Sequence, residues 1–302
     1  MEDIRGKRVI VGMSGGVDSS VAAFLLKERG ADVHGVFMKN WEEEFDQGYC
    51  SAEDDLKDAE SVCETLGIPL HRVNFAKNYK ERVFDYFIDT LKDGLTPNPD
   101  VLCNKEIKFK AFLEYAEELG ADYLATGHYA RVRREDGKAY LLKGIDNNKD
   151  QSYFLYLLNQ QQLINTLFPI GDYEKSEVRQ IALDNRLITF DKKDSTGICF
   201  IGERDFTDFI MQYLPTEPGD MVMPNGEVVA QHQGLAFYTI GQRQGRIGGR
   251  KDSTGEPWFV ADKDLEKNQL IVVQGDQKEL YGKGLIAREL HQINPINWEE
   301  VN

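Results

Sequence analysis

The chain has 302 residues, 41% of them hydrophobic, so it exceeds one ordinary core and is expected to form two or three domains without disulfide staples. Subtracting 51 acidic residues from 36 basic ones leaves a net charge of -15, which argues against a nonspecific nucleic-acid binder. No apolar run approaches membrane-spanning length, Met1-Glu2-Asp3 is no signal-peptide start, and Cys50, Cys63, Cys103 and Cys199 show neither C-x-x-C spacing nor the density of a secreted scaffold, so a cytoplasmic protein with reduced thiols and no membrane partner is expected.

Residues 7–13, with the apolar run Val9-Ile10-Val11, read as a first strand, and Val17, Val21, Phe24 and Leu25 keep a helical face that ends near Gly30. Between them lies Ser14-Gly15-Gly16-Val17-Asp18-Ser19. A strand that turns through glycines into a helix start makes an anion cradle, because the first helical N–H groups lack partners and carry the positive dipole end. The spacing is neither that of a P-loop nor that of a dinucleotide-binding fingerprint. Asp18 stands where a P-loop would have its lysine, and an acid beside phosphates suggests a Mg2+ contact. The competing reading is a glycine turn in which Ser19 or Asp18 merely favours a helix start.

A second strand is expected over Val33 to Met38, then an acidic loop from Trp41 to Tyr49, and a helix opened by Ser51 and Asp54 whose face is Leu56, Ala59, Cys63 and Leu66. Cys63 therefore reads as core. Strand Leu70 to Phe75, helices Tyr79 to Leu91 and Asn104 to Leu119, and strand Tyr123 to Thr126 complete a β/α alternation, which implies a doubly wound, mostly parallel sheet. Its ligand belongs at the carboxyl ends of the strands, where Met38 and Gly127 border it. A hairpin around Asp136-Gly137 spans Arg131 to Lys143, and short helices follow over Gln151–Asn165, Lys175–Asn185 and Asp205–Tyr213. After Pro215 and Pro218 the chain becomes strand and turn, with strands at Trp258–Ala261, Leu270–Val273 and Leu285–Arg288. The expected class is α/β: a nucleotide domain over 1–165, a small helical domain over 166–216 and a β-barrel-like domain over 217–302, the last incomplete. The stretch from His232 to Lys251 lacks acids and gathers Arg243, Arg246, Arg250 and Lys251 near Phe237 and Tyr238, either as a solvated basic loop or as a nucleic-acid patch.

A second informative stretch is Thr96-Pro97-Asn98-Pro99-Asp100-Val101-Leu102-Cys103-Asn104. Its prolines fix an extended approach, and Asn104 is expected to cap the following helix, leaving Cys103 just outside a helix N-terminus with Lys105 and Lys108 nearby. Such a setting favours the nucleophilic thiolate, and Asp100 could act as acid or base beside it. A buried cysteine with a surface carboxylate is the alternative. Cys199, at the end of a polar turn feeding apolar residues, reads by itself as core.

SGGVDS resembles the pyrophosphatase loop of the ATP pyrophosphatase superfamily. Taken together, GMSGGVDSSVAA, GLTPNPDVLCNKEIKF, ATGHYAR, KDQSYFL, DSTGICFIGERDF and HQGLAFYTIGQRQG resemble, in that order and across essentially the whole chain, the tRNA-specific 2-thiouridylase family. The resemblance implies thiolation at C2 of the wobble uridine (U34) in the anticodon stem-loop of certain tRNAs, with ATP and Mg2+ activating the base and a persulfide delivering sulfur. By the same resemblance Gly12, Met13, Ser14, Gly15, Gly16, Val17, Asp18, Ser19, Met38 and Gly127 are ATP-binding positions. Asn98, Pro99 and Asp100 match the segment at the target base, Lys149, Asp150 and Gln151 a tRNA-contacting segment, and His128 a tRNA-sensitive position. Cys103 matches the nucleophile and Cys199 the persulfide carrier, the two closing a disulfide after sulfur transfer, with Asp100 as acid or base. A sulfur-relay protein or cysteine desulfurase is implied as partner, and a monomer is expected. Family members continue past the position of Asn302 into strands bearing a basic tRNA-contacting segment, so a fragment or a shortened barrel with weaker tRNA affinity is expected. Two rival readings are an adenylating ligase forming a C–N bond, which needs no cysteine pair, and a nucleotide-sensing module that binds ATP without turnover.

Overall fold

A computed structural model describes residues 2–42, 51–194, 205–244, 247 and 255–295; Cys50 and Cys199 lie outside them. The chain forms two compact units, one of residues 1–83, 99–200 and 291–302 and the other of residues 84–98 and 201–290.

In the first unit β1 (Arg8–Met13) leads into α1 (Val17–Glu28), β2 (Asp32–Lys39), α2 (Ser51–Leu66) and β3 (Leu70–Asn74). β4 (Tyr123–Ala125) and, after the antiparallel hairpin of β5 (Ala130–Glu135) and β6 (Lys138–Lys143), β7 (Thr166–Leu167) complete a parallel sheet in the order β3-β2-β1-β4-β7. β1 is central, with Val9 opposite both Val33 and Tyr123, and Val9, Ile10 and Val11 are fully buried, as a continuous apolar strand covered on two faces requires. On one face Val9, Val11, Met13, Val33 and Phe37 join Val21 and Leu26 of α1 and Ala59, Val62, Cys63 and Leu66 of α2 in one core. The chain turns sharply through the hairpin at Asp136 (φ 50°) and Gly137 (φ 70°). Because the strands run parallel, the segments after β1, β2 and β4 all emerge at the same sheet edge.

The second unit holds α3 (Asp85–Lys92), α7 (Phe206–Ile210) and a five-stranded sheet, β10-β11-β12-β8-β9, built from β8 (Gly219–Val222), β9 (Val228–His232), β10 (Arg243–Gln244), β11 (Trp258–Asp264) and β12 (Gln269–Gln274). Asp205 caps α7, accepting hydrogen bonds from the amides of Thr207 and Asp208 at 2.8 and 3.1 Å. Phe237 and Tyr238 are buried in this unit, so the aromatic members of the acid-free stretch serve packing.

Two sequence expectations are corrected. No strand forms over Leu285–Arg288: Leu285 and Ile286 are 88% and 83% exposed and pair with no neighbour, and an apolar pair without an adjacent strand edge has nothing to hydrogen-bond to. The helix expected to start after Asn104 begins at Pro99 instead. This helical run, α4, passes from Pro99–Leu102 through a π-helical stretch Cys103–Ala111 into Phe112–Glu118. The prolines are expected to fix an extended approach, but Pro99 opens the helix instead, because proline fits the first turn, where its missing N–H has no intrahelical role. Cys103 and Asn104 are consequently interior residues of the run, both buried, and Asn104 is no cap. α5 (Gln160–Ile164) and α6 (Lys175–Asp184) follow in the first unit.

Gly127, just beyond β4, has no room for a side chain: a Cβ there would lie 2.7 Å from the Ser19 amide nitrogen and 2.8 Å from the Asp18 carbonyl carbon. Gly127→Ala is expected to cost about 1–3 kcal/mol, the usual scale of overpacking, in denaturant unfolding. Stability unchanged by the substitution would contradict this close approach.

Candidate active site

The segment between β1 and α1 is shaped by Gly15, whose φ of +75° and whose position, 2.3 Å from the Asp55 carbonyl oxygen for a Cβ, admit no other residue without displacement of α2. Hydroxyls pin the turn from inside: the Ser14 amide donates to Ser19 Oγ at 3.2 Å, and Ser19 and Ser20 Oγ donate to the Gly16 carbonyl at 3.1 and 2.8 Å. Gly16 is the N-cap of α1 and supplies no side-chain acceptor, so neither Ser19 nor Asp18 caps the helix. The first N–H groups of a twelve-residue helix thus face the turn with the dipole's positive end, and Ser14 is exposed there. A helix start of this kind suits an anion such as phosphate. Gly12 sits where a Cβ would meet Phe112 Cε1 at 3.1 Å and Met38 Cε at 3.4 Å, so Met38 and α4 both close on the end of β1.

Asp18 is not free. Its carboxylate accepts the Tyr129 hydroxyl at 2.8 Å and takes the Lys175 ammonium at 2.8 Å on each oxygen. Lys175 Nζ also lies 2.8 Å from Asp194 Oδ1 and 5.6 Å from the centroid of the Tyr129 ring. Asp194 is held further by Lys149 at 2.7 Å and Arg179 at 3.0 Å; burial alone would raise its carboxyl, but the hydrogen bonds from Lys149 and Lys175 outweigh that and hold it down to about 2. Burial, followed by the charge of Asp18 and its hydrogen bond, pushes the Tyr129 phenol well above its usual range. Sequence reading missed Lys175, Tyr129 and Asp194 as site residues. The signal available was ATGHYAR for the tyrosine; nothing local marks Lys175, 157 positions from Asp18.

The other expected site residues separate into groups. Asp100, half-buried on the first turn of α4, has its carboxyl raised by burial, against which the charge of Lys108 acts. His128 is buried between Phe109 and Phe168, both ring centroids 6.0 Å away, with Nδ1 2.7 Å from Thr126 Oγ1. Burial, then the charge of Lys108, pushes its imidazole well below the ordinary value, so it is neutral near pH 7. The charge of Lys108 thus acts on both Asp100 and His128. Asn104 Nδ2 donates to the Phe154 carbonyl at 3.1 Å and ties α4 to the loop carrying Lys149, Asp150 and Gln151. In that loop Asp150 accepts from the Gly144 and Ser152 amides, and Gln151 exchanges hydrogen bonds with the Tyr129 backbone at 2.8 and 3.0 Å. These two side chains shape the loop that presents Lys149. Asn98 is exposed, and Pro99 is buried. Cys103 is 4% exposed, and its pairing with Cys199 lies outside the described residues. Cys63 is core: its sulfur packs within 3.0 Å of the position of a Cβ on Gly35, and burial pushes its thiol up to about 11. Among the described residues no group of three His, Cys, Asp or Glu side chains could hold a metal ion.

The family description "tRNA methyl transferase HUP domain" matches residues 7–203, and "tRNA methyl transferase PRC-barrel domain" matches residues 207–274. The curated tRNA-specific 2-thiouridylase MnmA of Idiomarina loihiensis is 60% identical over 291 residues, covering 95% of this chain and 78% of that protein. Those of Proteus mirabilis and Vibrio vulnificus are 60% and 61% identical, covering 97% of this chain and 81% and 80% of their own lengths. The domain descriptions speak of methyl transfer and the relatives of thiolation. With this identity along nearly its whole length, the chain belongs to the tRNA-specific 2-thiouridylase family.

Proposed function

We propose that the chain is an ATP-dependent tRNA sulfurtransferase that replaces the C2 oxygen of wobble uridine by sulfur. The observation that carries the reading is the closure of α4, bearing Asp100 and Cys103, over the end of β1 through Phe112 and Gly12, beside the helix-start cradle. ATP supplies the adenylyl group that makes the C2 oxygen a leaving group, with pyrophosphate lost first and AMP second. Gly12 to Ser19 would hold its phosphates, and Met38 and Gly127 its flank. Mg2+ requires only one or two carboxylates when phosphates and water complete its octahedron, and we assign that role to Asp18.

Asp100, with its raised carboxyl, is suited to exchange the uridine N3 proton while the C2 oxygen becomes nucleophilic. The terminal sulfur of a Cys199 persulfide then forms the bond to C2 as AMP departs. The Cys103 thiolate attacks the Cys199 sulfur, releasing 2-thiouridine and leaving a Cys103–Cys199 disulfide, which an external thiol reductant must reopen. A sulfur-relay protein or cysteine desulfurase would load Cys199. We place the monomeric state and the cytoplasmic location in the same proposal; among the described residues no helix is long and apolar enough to cross a membrane.

Single-turnover reactions with ATP, tRNA and a persulfide donor, read by mass spectrometry of the tRNA, test the reading. Cys103→Ser and Cys199→Ser should form no 2-thiouridine, Cys199→Ser should still accumulate adenylated tRNA, and Cys63→Ser should keep activity within about twofold while losing about 1–2 kcal/mol of stability. Full 2-thiouridine formation by Cys199→Ser would end the persulfide assignment. The pH profile gives a second check. A base titrates on the acid limb, and a raised carboxyl moves that limb above the ordinary aspartate value of about 3.9. Asp100→Asn should remove the limb together with most of the rate, and an unchanged limb would acquit Asp100.

A further inference from the structure

β2 and β3 carry a pair of histidines in which the helix-start cradle has no part. His34 stands near the amino end of β2 and His71 near that of β3, and the parallel register that sets Val36 beside His71 brings both rings to one face. The rings are parallel to within 5°, and His34 Nδ1 lies 3.0 Å from His71 Nε2. On the far side of the first ring Asp32 Oδ1 faces His34 Nε2 at 3.5 Å, while Arg8 Nε donates to the other Asp32 oxygen at 2.8 Å. A carboxylate facing one ring nitrogen keeps the proton there, so His34 turns its Nδ1 lone pair toward His71. Two ring nitrogens this close repel unless a proton or a metal ion lies between them. On a tetrahedral Zn2+, with Zn–N of about 2.0–2.1 Å, two nitrogens stand about 3.3–3.4 Å apart, so the pair needs to open by only a few tenths of an ångström. Burial, then the charge of His34, lowers the His71 imidazole, which is therefore neutral near pH 7 and free to ligate. The His34 side chain is 19% exposed, which leaves an entry path.

We propose that His34 Nδ1 and His71 Nε2 form a two-nitrogen site for a borderline-soft divalent cation such as Zn2+, which takes the place of the proton they share. On binding, that proton leaves His71 Nε2 and the ring takes the Nδ1–H form, so both imidazoles stay neutral. Asp32 acts from behind His34 as the group that orients the ring. Water fills the remaining positions, since among the described residues no group of three His, Cys, Asp or Glu side chains could hold a metal ion. With imidazole as the protein's whole contribution, the site discriminates against Mg2+, a hard ion that demands oxygen. The ion would clip β2 to β3, which ends the five-strand order of the parallel sheet. Met38 is four residues further along β2, about 13 Å away at strand spacing, so the site is separate from the cradle and does not rest on the reaction proposed above.

Cysteine thiols also take Zn2+, so the test must read the rings themselves. The full chain, stripped of metal with a chelator, is titrated with Zn2+ while the ring nitrogens of its five histidines are followed by heteronuclear NMR. His34 and His71 should shift together along one binding curve, with His71 passing to the Nδ1–H form, while His128, His232 and His291 stay in place. Mg2+ at the same concentrations should move none of them. His34→Gln should weaken Zn2+ at His71, and His71→Gln should weaken it at His34, each by at least about tenfold, because disturbing even a supporting group of a metal site costs that much. The inference is overturned if excess Zn2+ leaves the two rings unmoved, if Mg2+ moves them equally, or if either ring keeps its Zn2+ affinity after the other is replaced. Should the variants not fold, the wild-type spectra decide: joint movement of His34 and His71 with the tautomer change upholds the site, and separate curves or an unchanged tautomer overturn it.

Discussion

Gly127 and the start of α1 touch backbone to backbone, and most of the site depends on that contact. With no side chain between them, the segment after β4 is locked against Asp18 and Ser19. His128 and Tyr129, the next two residues, are placed as a result: one turns into the aromatic pocket of Phe109 and Phe168, and the other lays its hydroxyl on Asp18. Gln151 then copies the Tyr129 backbone position into the loop of Lys149 and Asp150. A strand end, a helix start and a distant loop are thus in register through one glycine.

The second organising force is electrostatic. An acidic protein has few cations to spare, yet Lys149, Lys175, Arg179 and Lys192 all turn inward onto Asp18, Asp55, Asp58 and Asp194. Partly buried ion pairs add little net stability when complete, but removing one partner leaves a charge in a poorly solvated place. The network therefore acts more as a device for specifying position than as a source of stability. It holds the segment ending at Asp194 against α1 and α2, assisted by the Thr189 hydroxyl on Ser20 Oγ at 3.0 Å.

Much of this was legible from sequence, for physical reasons that differ by element. β1, α1 and β2 were readable because a doubly covered strand is continuously apolar and the glycine turn after it is unmistakable. The positions of Met38 and Gly127 at the carboxyl edge of the sheet followed from the parallel order of the strands. The start of α4 was misread because a proline that disfavours a helix in its interior favours one at its first turn. Leu285–Arg288 was misread because β propensity describes a surface that wants a neighbour and says nothing about whether the neighbour is there. Lys175 was invisible because an ion pair across 157 positions leaves no local pattern. Lys149, Asp150 and Gln151 were recognised as a motif, but only the hydrogen bonds show that two of the three work on the loop itself.

The path of the chain through its two units has a consequence for biosynthesis. Residues 84–98 belong with residues 201–290, where Phe84 stacks edge-on with Phe209 and Tyr213, and Lys263 Nζ donates to the Gly94 carbonyl at 2.8 Å. At a ribosome making 5–20 residues per second, the apolar face of α3, with Phe87, Ile88 and Leu91, waits roughly 5–20 s for about 100 further residues before its partners exist. During that interval the first unit can close its central strands, since β1 to β3 are adjacent both in sequence and in the sheet. The excursion from Phe84 to Asn98 cannot. The nascent protein thus carries an uncovered hydrophobic helix in the middle of an otherwise foldable unit, which makes this stretch a natural point of engagement for chaperones.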